Sequence, residues 1–197
     1  LDGTIVENLP IGLFGDFYSH ELSFFLVKNN DIKNIQKIFA QNNLNIKKIL
    51  LIQPPDSDKK IFNFGSAKRG RLWNYPPYGL GVLAKRLQNE NITVEILNLN
   101  NEILKFIKLS EISEEDFDFD KVWTESLNKK LSDFKPCLVG LTSMFSQSHE
   151  ITKQLSKHIK KKNKNTIIAA GGVHVTNSLV DEKTFEKFVK DMNCIDF

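Results

Sequence analysis

The chain has 197 residues, 41% hydrophobic and 26% charged, with a formal charge of +3. These proportions exclude wholesale disorder, collagen and disulfide-scaffold classes, and the charge is too small to argue for nucleic acid. No apolar run approaches the roughly 18–20 residues of a membrane helix. No secretion leader is visible, and two cysteines, Cys137 and Cys194, fit a reducing cytoplasm, which is the expected compartment.

In chain order, residues 1–47 stand apart from the rest of the chain. Thr4-Ile5-Val6 reads as a short strand, and Glu21 to Val27 and Ile32 to Phe39 as two helices joined by Asn29-Asn30, so a helical N-terminal extension is expected. From residue 48 the chain alternates between two periods. Lys48 to Gln53 is a short apolar run stopped by Pro54-Pro55, the pattern of a strand buried on both faces. About 22 residues follow before the next helix, where a strand-to-helix loop usually has 2–6. Leu80, Leu83, Ala84 and Leu87 then mark one face of a helix over Gly79–Asn89, and Thr93 to Leu99 is a second strand. Residues 109–120 are acidic and read as a solvated loop held by Phe117 and Phe119. Trp123, Leu127, Leu131 and Phe134 stripe another helix, with Pro136 as its stop, and Cys137 to Ser143 is a third strand. Ile151, Leu155 and Ile159 stripe a Lys-rich helix; Thr166 to Ala170 is a fourth strand ending in Gly171-Gly172. Phe185, Phe188, Val189 and Met192 stripe the last helix, and Cys194 opens a fifth strand.

The series predicts an α/β fold: a Rossmann-like (flavodoxin-like) parallel sheet with helices on both faces, incomplete at the fifth strand. Two domains are expected, the extension at 1–47 and the sheet domain at 48–197. The chain starts at Leu1 without Met and ends at Cys194-Ile195-Asp196-Phe197, an apolar stretch that begins like a strand. A piece of a longer protein is therefore expected. In such sheets ligands bind beyond the carboxyl ends of the strands. This places Gln53–Pro55, Asn98–Asn100, Ser143–Phe145 and Gly171–Thr176 on one rim.

The long first loop carries Lys59, Lys60, Lys68, Arg69 and Arg71 among Phe62, Phe64, Trp73 and Tyr75. Aromatics with cations suit a flat or phosphorylated ligand; the plainer reading is a surface loop anchored by Trp73. His174 is either a hydrogen-bonded rim residue or an imidazole facing a ligand. No G-x-G-x-x-G follows the first strand, and no Walker loop, HExxH or G-x-S-x-G is present. Ser143 and His149 share one turn with no third member, so they make a poor nucleophile and base. Leu1-Asp2-Gly3-Thr4 echoes a haloacid dehalogenase loop without its nucleophilic Asp.

Four segments in order carry a more specific likeness: Ile49 to Pro55, Pro76-Pro77-Tyr78-Gly79-Leu80 continuing to Leu87, Pro136 to Ser143, and Gly171-Gly172-Val173-His174-Val175-Thr176. Together they resemble the amino-terminal cobalamin (B12)-binding domain of the B12-dependent radical SAM enzymes, over residues 48–197. The resemblance implies that Pro54, Pro55, Tyr78, Gly79, Thr142, Ser143, Met144, Gly171, Gly172, His174 and Thr176 contact cobalamin. No catalytic residue and no metal ligand set is expected within the chain. The two glycines are expected to leave room for the nucleotide tail, so that Gly172→Val would block cobalamin with the fold largely intact. The D-x-H-x-x-G of classical corrinoid carriers is absent after the first strand, which implies base-off B12 with no His ligand from that loop. The C-x-x-x-C-x-x-C of the radical SAM barrel is absent too, so S-adenosylmethionine and a 4Fe–4S cluster would belong to a downstream barrel of the same polypeptide, the expected partner. Methyl transfer is the expected chemistry of that enzyme. The competing expectation is a flavodoxin-like ligand-binding or sensory module without B12, and a weaker one a glycosyltransferase-like nucleotide-binding half.

Overall fold

A computed structural model describes residues 46–178 and 180–197. The readings of Thr4–Val6, Glu21–Val27 and Ile32–Phe39 lie outside the described residues. Four strands, β1 (Lys48–Gln53), β2 (Thr93–Asn98), β3 (Leu138–Thr142) and β4 (Ile167–Gly171), form one sheet in the order β2-β1-β3-β4. All three pairings are parallel; Gln53 faces Asn98 across one seam and Ile52 faces Leu141 across the other. This is the flavodoxin-like order, which reverses direction at the β1/β3 seam.

Alternation along the strands divides the core. Leu50, Ile52, Val139, Leu141 and Ile168 pack on one face with Ile103 and Ile107 of α3 (Leu99–Leu109), Trp123 and Leu127 of α4 (Phe119–Phe134), and Ile151, Leu155 and Ile159 of α5 (His149–Lys162). Ile49 and Leu51 point the other way, onto Leu80 and Ala84 of α2 (Tyr78–Asn89). Burial on both faces explains why β1 reads as a continuous apolar run.

The long loop after β1 contains a short helix, α1 (Phe64–Lys68), capped by the Asn63 side chain on the Ser66 N–H. Its anchors are Phe64 and Ala67 in the core and Phe62 beside it, not Trp73, which is 74% exposed. Phe119 is buried and Phe117 packs against the core, as expected of that acidic segment. Helix α3 was not expected from the sequence. Asn98 ends β2 and caps α3 in one step, its side chain accepting from the Asn101 N–H at 2.9 Å, so no turn residue separates strand from helix. Lys68 Nζ donates to the carbonyls of Ile107 and Ser110 at the end of α3, satisfying carbonyl groups that a helix C-terminus leaves open.

Beyond β4 lie α6 (Val173–Ser178) and α7 (Glu182–Asp191). The apolar stripe of α7 is only partly covered: Met192, just past its end, is buried, while Phe185 and Val189 are 43% and 51% exposed. The fifth strand expected from Cys194 is not formed among the described residues, and only the last residues bond to β4. Phe197 N–H donates to Ile168 C=O at 3.2 Å, and Ala170 N–H donates to Phe197 C=O at 2.7 Å, the pairing of a parallel strand beside β4. No helix among the described residues is long and apolar enough to cross a membrane.

Candidate cofactor-binding site

Two structures meet at the carboxyl edge of the sheet. The first is a cleft of about 650 Å³ at the β1/β3 seam, lined by Gln53, Asp56, Asn100, Thr142, Met144, Phe145 and the 72–80 segment. Its size lies in the usual range for small-molecule sites. The prolines at 76 and 77 hold this segment extended into α2, and Trp73 and Tyr75 stack at 5.9 Å with an interplanar angle of 15°. Rings on a cleft wall offer a platform for a flat ligand. Three side chains make a polar floor. Asn100 Nδ2 donates to Asp56 Oδ2 at 3.1 Å, and Asp56 N–H donates to Asn100 Oδ1 at 3.3 Å. Burial pushes the Asp56 carboxyl up from its ordinary value, and a hydrogen bond from Gln53 opposes that shift. Gln53 Oε1 is buried with no partner. A larger groove of about 740 Å³ runs over the β2 edge past Glu102, Lys129, Lys130 and Asp133. It lies away from the seam, and its wall is a mixed-charge surface, so the cleft is the better candidate.

The second structure is the rim between β3 and β4. Ser143 is fully buried; its N–H donates to Gly171 C=O at 2.7 Å and its C=O accepts from His174 N–H at 3.0 Å. Its Oγ has no partner. Gly172 sits at φ +110°, and a Cβ there would lie 2.6 Å from Ser143 O. This corrects the expectation about Gly172→Val. Gly172 lacks a side chain so that the chain can turn against Ser143, and any substitution strains the fold itself. Gly171 behaves as expected of both glycines: a Cβ there meets open space.

His174 is half-buried on this rim. Its Nε2 lies 2.9 Å from His149 Nδ1, and His149 Nε2 lies 2.7 Å from Asp191 Oδ2. Lys153 Nζ bonds the other Asp191 oxygen. Lys153 and then His149 hold the Asp191 carboxyl down to about 2. Burial, followed by the charge of His149, pushes His174 below its ordinary value. Phe188 packs on both imidazoles with ring centroids 5.6 Å away. His149 is thus committed to His174 and Asp191, and the weak pairing of Ser143 with His149 is not formed.

Of the residues expected to touch a ligand, Tyr78, Gly79, Thr142 and Met144 line the cleft. Ser143, Gly171, Gly172 and His174 meet at the rim. Pro54 and Pro55 are buried beneath the loop, and Thr176 is exposed on α6 with its hydroxyl 3.3 Å from Gly172 O. The sequence reading missed Asp56, Lys153 and Asp191. Asp191 lies 42 residues from His149, and no spacing rule joins them. Among the described residues no group of three His, Cys, Asp or Glu side chains could hold a metal ion.

A flavodoxin-like sheet with a cleft at its switch point and a glycine-bearing rim beside it defines an α/β cofactor-binding domain. The B12 binding domain family matches residues 73–187. The chain belongs to that family, which supports cobalamin binding. No curated protein and no solved structure matches it. The residues present fit the group. The rim offers open space at Gly171, the cleft offers stacked rings, and two buried oxygens, Gln53 Oε1 and Ser143 Oγ, lack partners. An unmet buried polar atom costs about 1–3 kcal/mol, and Gln53 lines the cleft, where a ligand N–H or O–H would relieve that cost.

Proposed function

We propose that this chain holds cobalamin in the base-off form as the cofactor-binding part of a radical SAM enzyme that transfers a methyl group. Cleft residues Tyr78, Gly79, Thr142 and Met144 take an edge of the corrin, and the rim at Ser143, Gly171 and His174 takes the nucleotide tail. Cobalamin, when bound, supplies cobalt-centred group transfer; the protein binds and orients it. S-adenosylmethionine and the 4Fe–4S cluster belong to a barrel on the same polypeptide.

One observation carries the absence of a cobalt-ligating His from the first loop, and the base-off reading adds that the rim rather than the cobalt holds the nucleotide tail. The loop from Gln53 to Tyr78, where classical carriers place their cobalt-ligating His, contains no histidine. The order of the four matching segments supports the radical SAM context. The experiment is an electron paramagnetic resonance spectrum of the chain loaded with cob(II)alamin. A spectrum without nitrogen splitting is expected. Splitting from an axial nitrogen would overturn the base-off reading. The coding sequence past Phe197 tests the barrel: a C-x-x-x-C-x-x-C is expected, and a continuing frame without it would overturn that part.

A further inference from the structure

The polar chain at the β3/β4 rim joins three helices. Lys153 and His149 come from α5, Asp191 from α7 and His174 from α6. Its hydrogen-bond logic has a direction. An ionised carboxylate only accepts, so His149 Nε2 must carry the proton that bonds Asp191 Oδ2. In neutral His149 the other nitrogen, Nδ1, is then bare. It can only accept, so His174 Nε2 must be the donor across the 2.9 Å contact. That leaves His174 Nδ1 with a lone pair and no hydrogen-bond partner among the described residues. The ring cannot readily turn away. Its backbone N–H is tied to Ser143 O, and its face is packed edge-on by His149 and Phe188 at 5.1 and 5.6 Å.

We propose that Lys153, Asp191 and His149 are positioning residues that hold His174 as the neutral Nε2–H tautomer, so that Nδ1 stands at the rim as a hydrogen-bond acceptor for an N–H or O–H donor of bound cobalamin. This rests on the cobalamin reading above. The donor is a corrin carboxamide or a hydroxyl of the nucleotide's ribose; both present the same chemistry to Nδ1. Lys153 fixes the rotamer of Asp191, Asp191 fixes the proton on His149, and His149 fixes the tautomer of His174.

The test has two readouts on the full chain. The first is a long-range ¹H–¹⁵N correlation spectrum of the imidazoles at pH 8. The wild type is expected to show His174 in a single Nε2–H form, and His149→Phe to show the averaged signals of a mixture. Averaged signals, or an Nδ1–H form, in the wild type would overturn the positioning chain. The second is the dissociation constant for cobalamin. His174→Phe keeps a ring against His149 and Phe188 but removes the acceptor, and it is expected to weaken binding about tenfold, one hydrogen bond's worth. His149→Phe, which only lets the tautomers mix, is expected to weaken it about twofold or less. His149→Gln, whose Oε1 can still accept from His174, is expected to restore the single tautomer. Unchanged affinity in His174→Phe would overturn the contact with cobalamin. Cobinamide, which keeps the carboxamides and lacks the nucleotide, separates the donors: a tenfold effect retained there names a carboxamide, and an effect lost there names the ribose. A wild type that binds no cobalamin would overturn the functional reading and the contact with it, while the tautomer spectrum would still decide whether the four side chains act in series.

Discussion

In the cleft beyond β1, Trp73, Tyr75 and Tyr78 stand largely free, and their rings contribute little to the core. At the rim beyond β4 the polar groups are tied to one another: Ser143 to Gly171 and His174, His174 to His149, His149 to Asp191 and Asp191 to Lys153. Both lie on the carboxyl edge of one sheet. The difference follows from how each loop is held. The first loop is pinned from below by Phe62, Phe64 and Ala67, which leaves its upper rings free. The last helix, α7, lacks a buried residue of its own and relies on Asp191, Phe188 and the adjoining Met192 to seat it. Substitutions in the cleft should therefore change affinity with little effect on stability, and substitutions at the rim should change both.

The sharpest break in that comparison is between two adjacent glycines. Gly172→Val forces a branched side chain into the Ser143 backbone at positive φ and is expected to cost about 3–4 kcal/mol. Gly171→Val meets open space and is expected to stay within about 1 kcal/mol of wild type while weakening cobalamin binding. Paired urea melts separate them. Equal losses would remove Gly172 from its structural role.

Next in size is the dependence of stability on pH. The folded pKa values of Asp191 and His174 are both depressed, so the unfolded chain binds the extra protons and stability falls with falling pH. The contribution from His174 is complete above its ordinary value of 6.5 and declines below it. The contribution from Asp191 is complete above 3.8 and is lost as pH falls toward about 2. Urea midpoints from pH 8 to pH 2.5 for wild type and Asp191→Asn should converge at the acid end. Parallel curves throughout would show that Asp191 does not seat α7.

Much of the sheet was legible because its strands are short apolar runs, buried on both faces in Leu50-Leu51-Ile52 and on one face, half-buried on the other, in Leu138 to Leu141. Helix α5 was legible for a related reason: Ile151, Leu155 and Ile159 recur at helical spacing and are all buried. Three helices were not, and one of them, α1, lies within the span read as a single long loop. α3 follows β2 with no Gly or Pro to mark the change, because Asn98 serves both. α6 is Val-His-Val-Thr, a β-branched run of low helix propensity, set in place by the turn at Gly172 and its tie to Ser143. In α7 the period was readable and the burial was not, since periodicity cannot say how much of a stripe a neighbour covers. At the site, rim positions followed from strand ends, whereas the partnership of His149 with Asp191 is a tertiary fact.

Two smaller effects sharpen the comparison further. Trp73→Ala, at a residue 74% exposed, is expected to leave the urea midpoint nearly unchanged and to weaken cobalamin about tenfold through lost stacking. A clear loss of stability would make Trp73 an anchor after all. Ser143→Ala removes a buried hydroxyl with no partner, so the free chain is expected to keep its stability or gain a few tenths of a kcal/mol. A loss above about 1 kcal/mol would mean that the hydroxyl is bonded in solution.

The central claim, that this edge of the sheet holds cobalamin, is tested most directly by isothermal titration of the full chain with hydroxocobalamin beside cobinamide. One saturable site per chain is expected, with cobinamide bound more weakly because it engages the cleft without the rim. No saturable binding of cobalamin, or equal affinity for the two, would contradict the account.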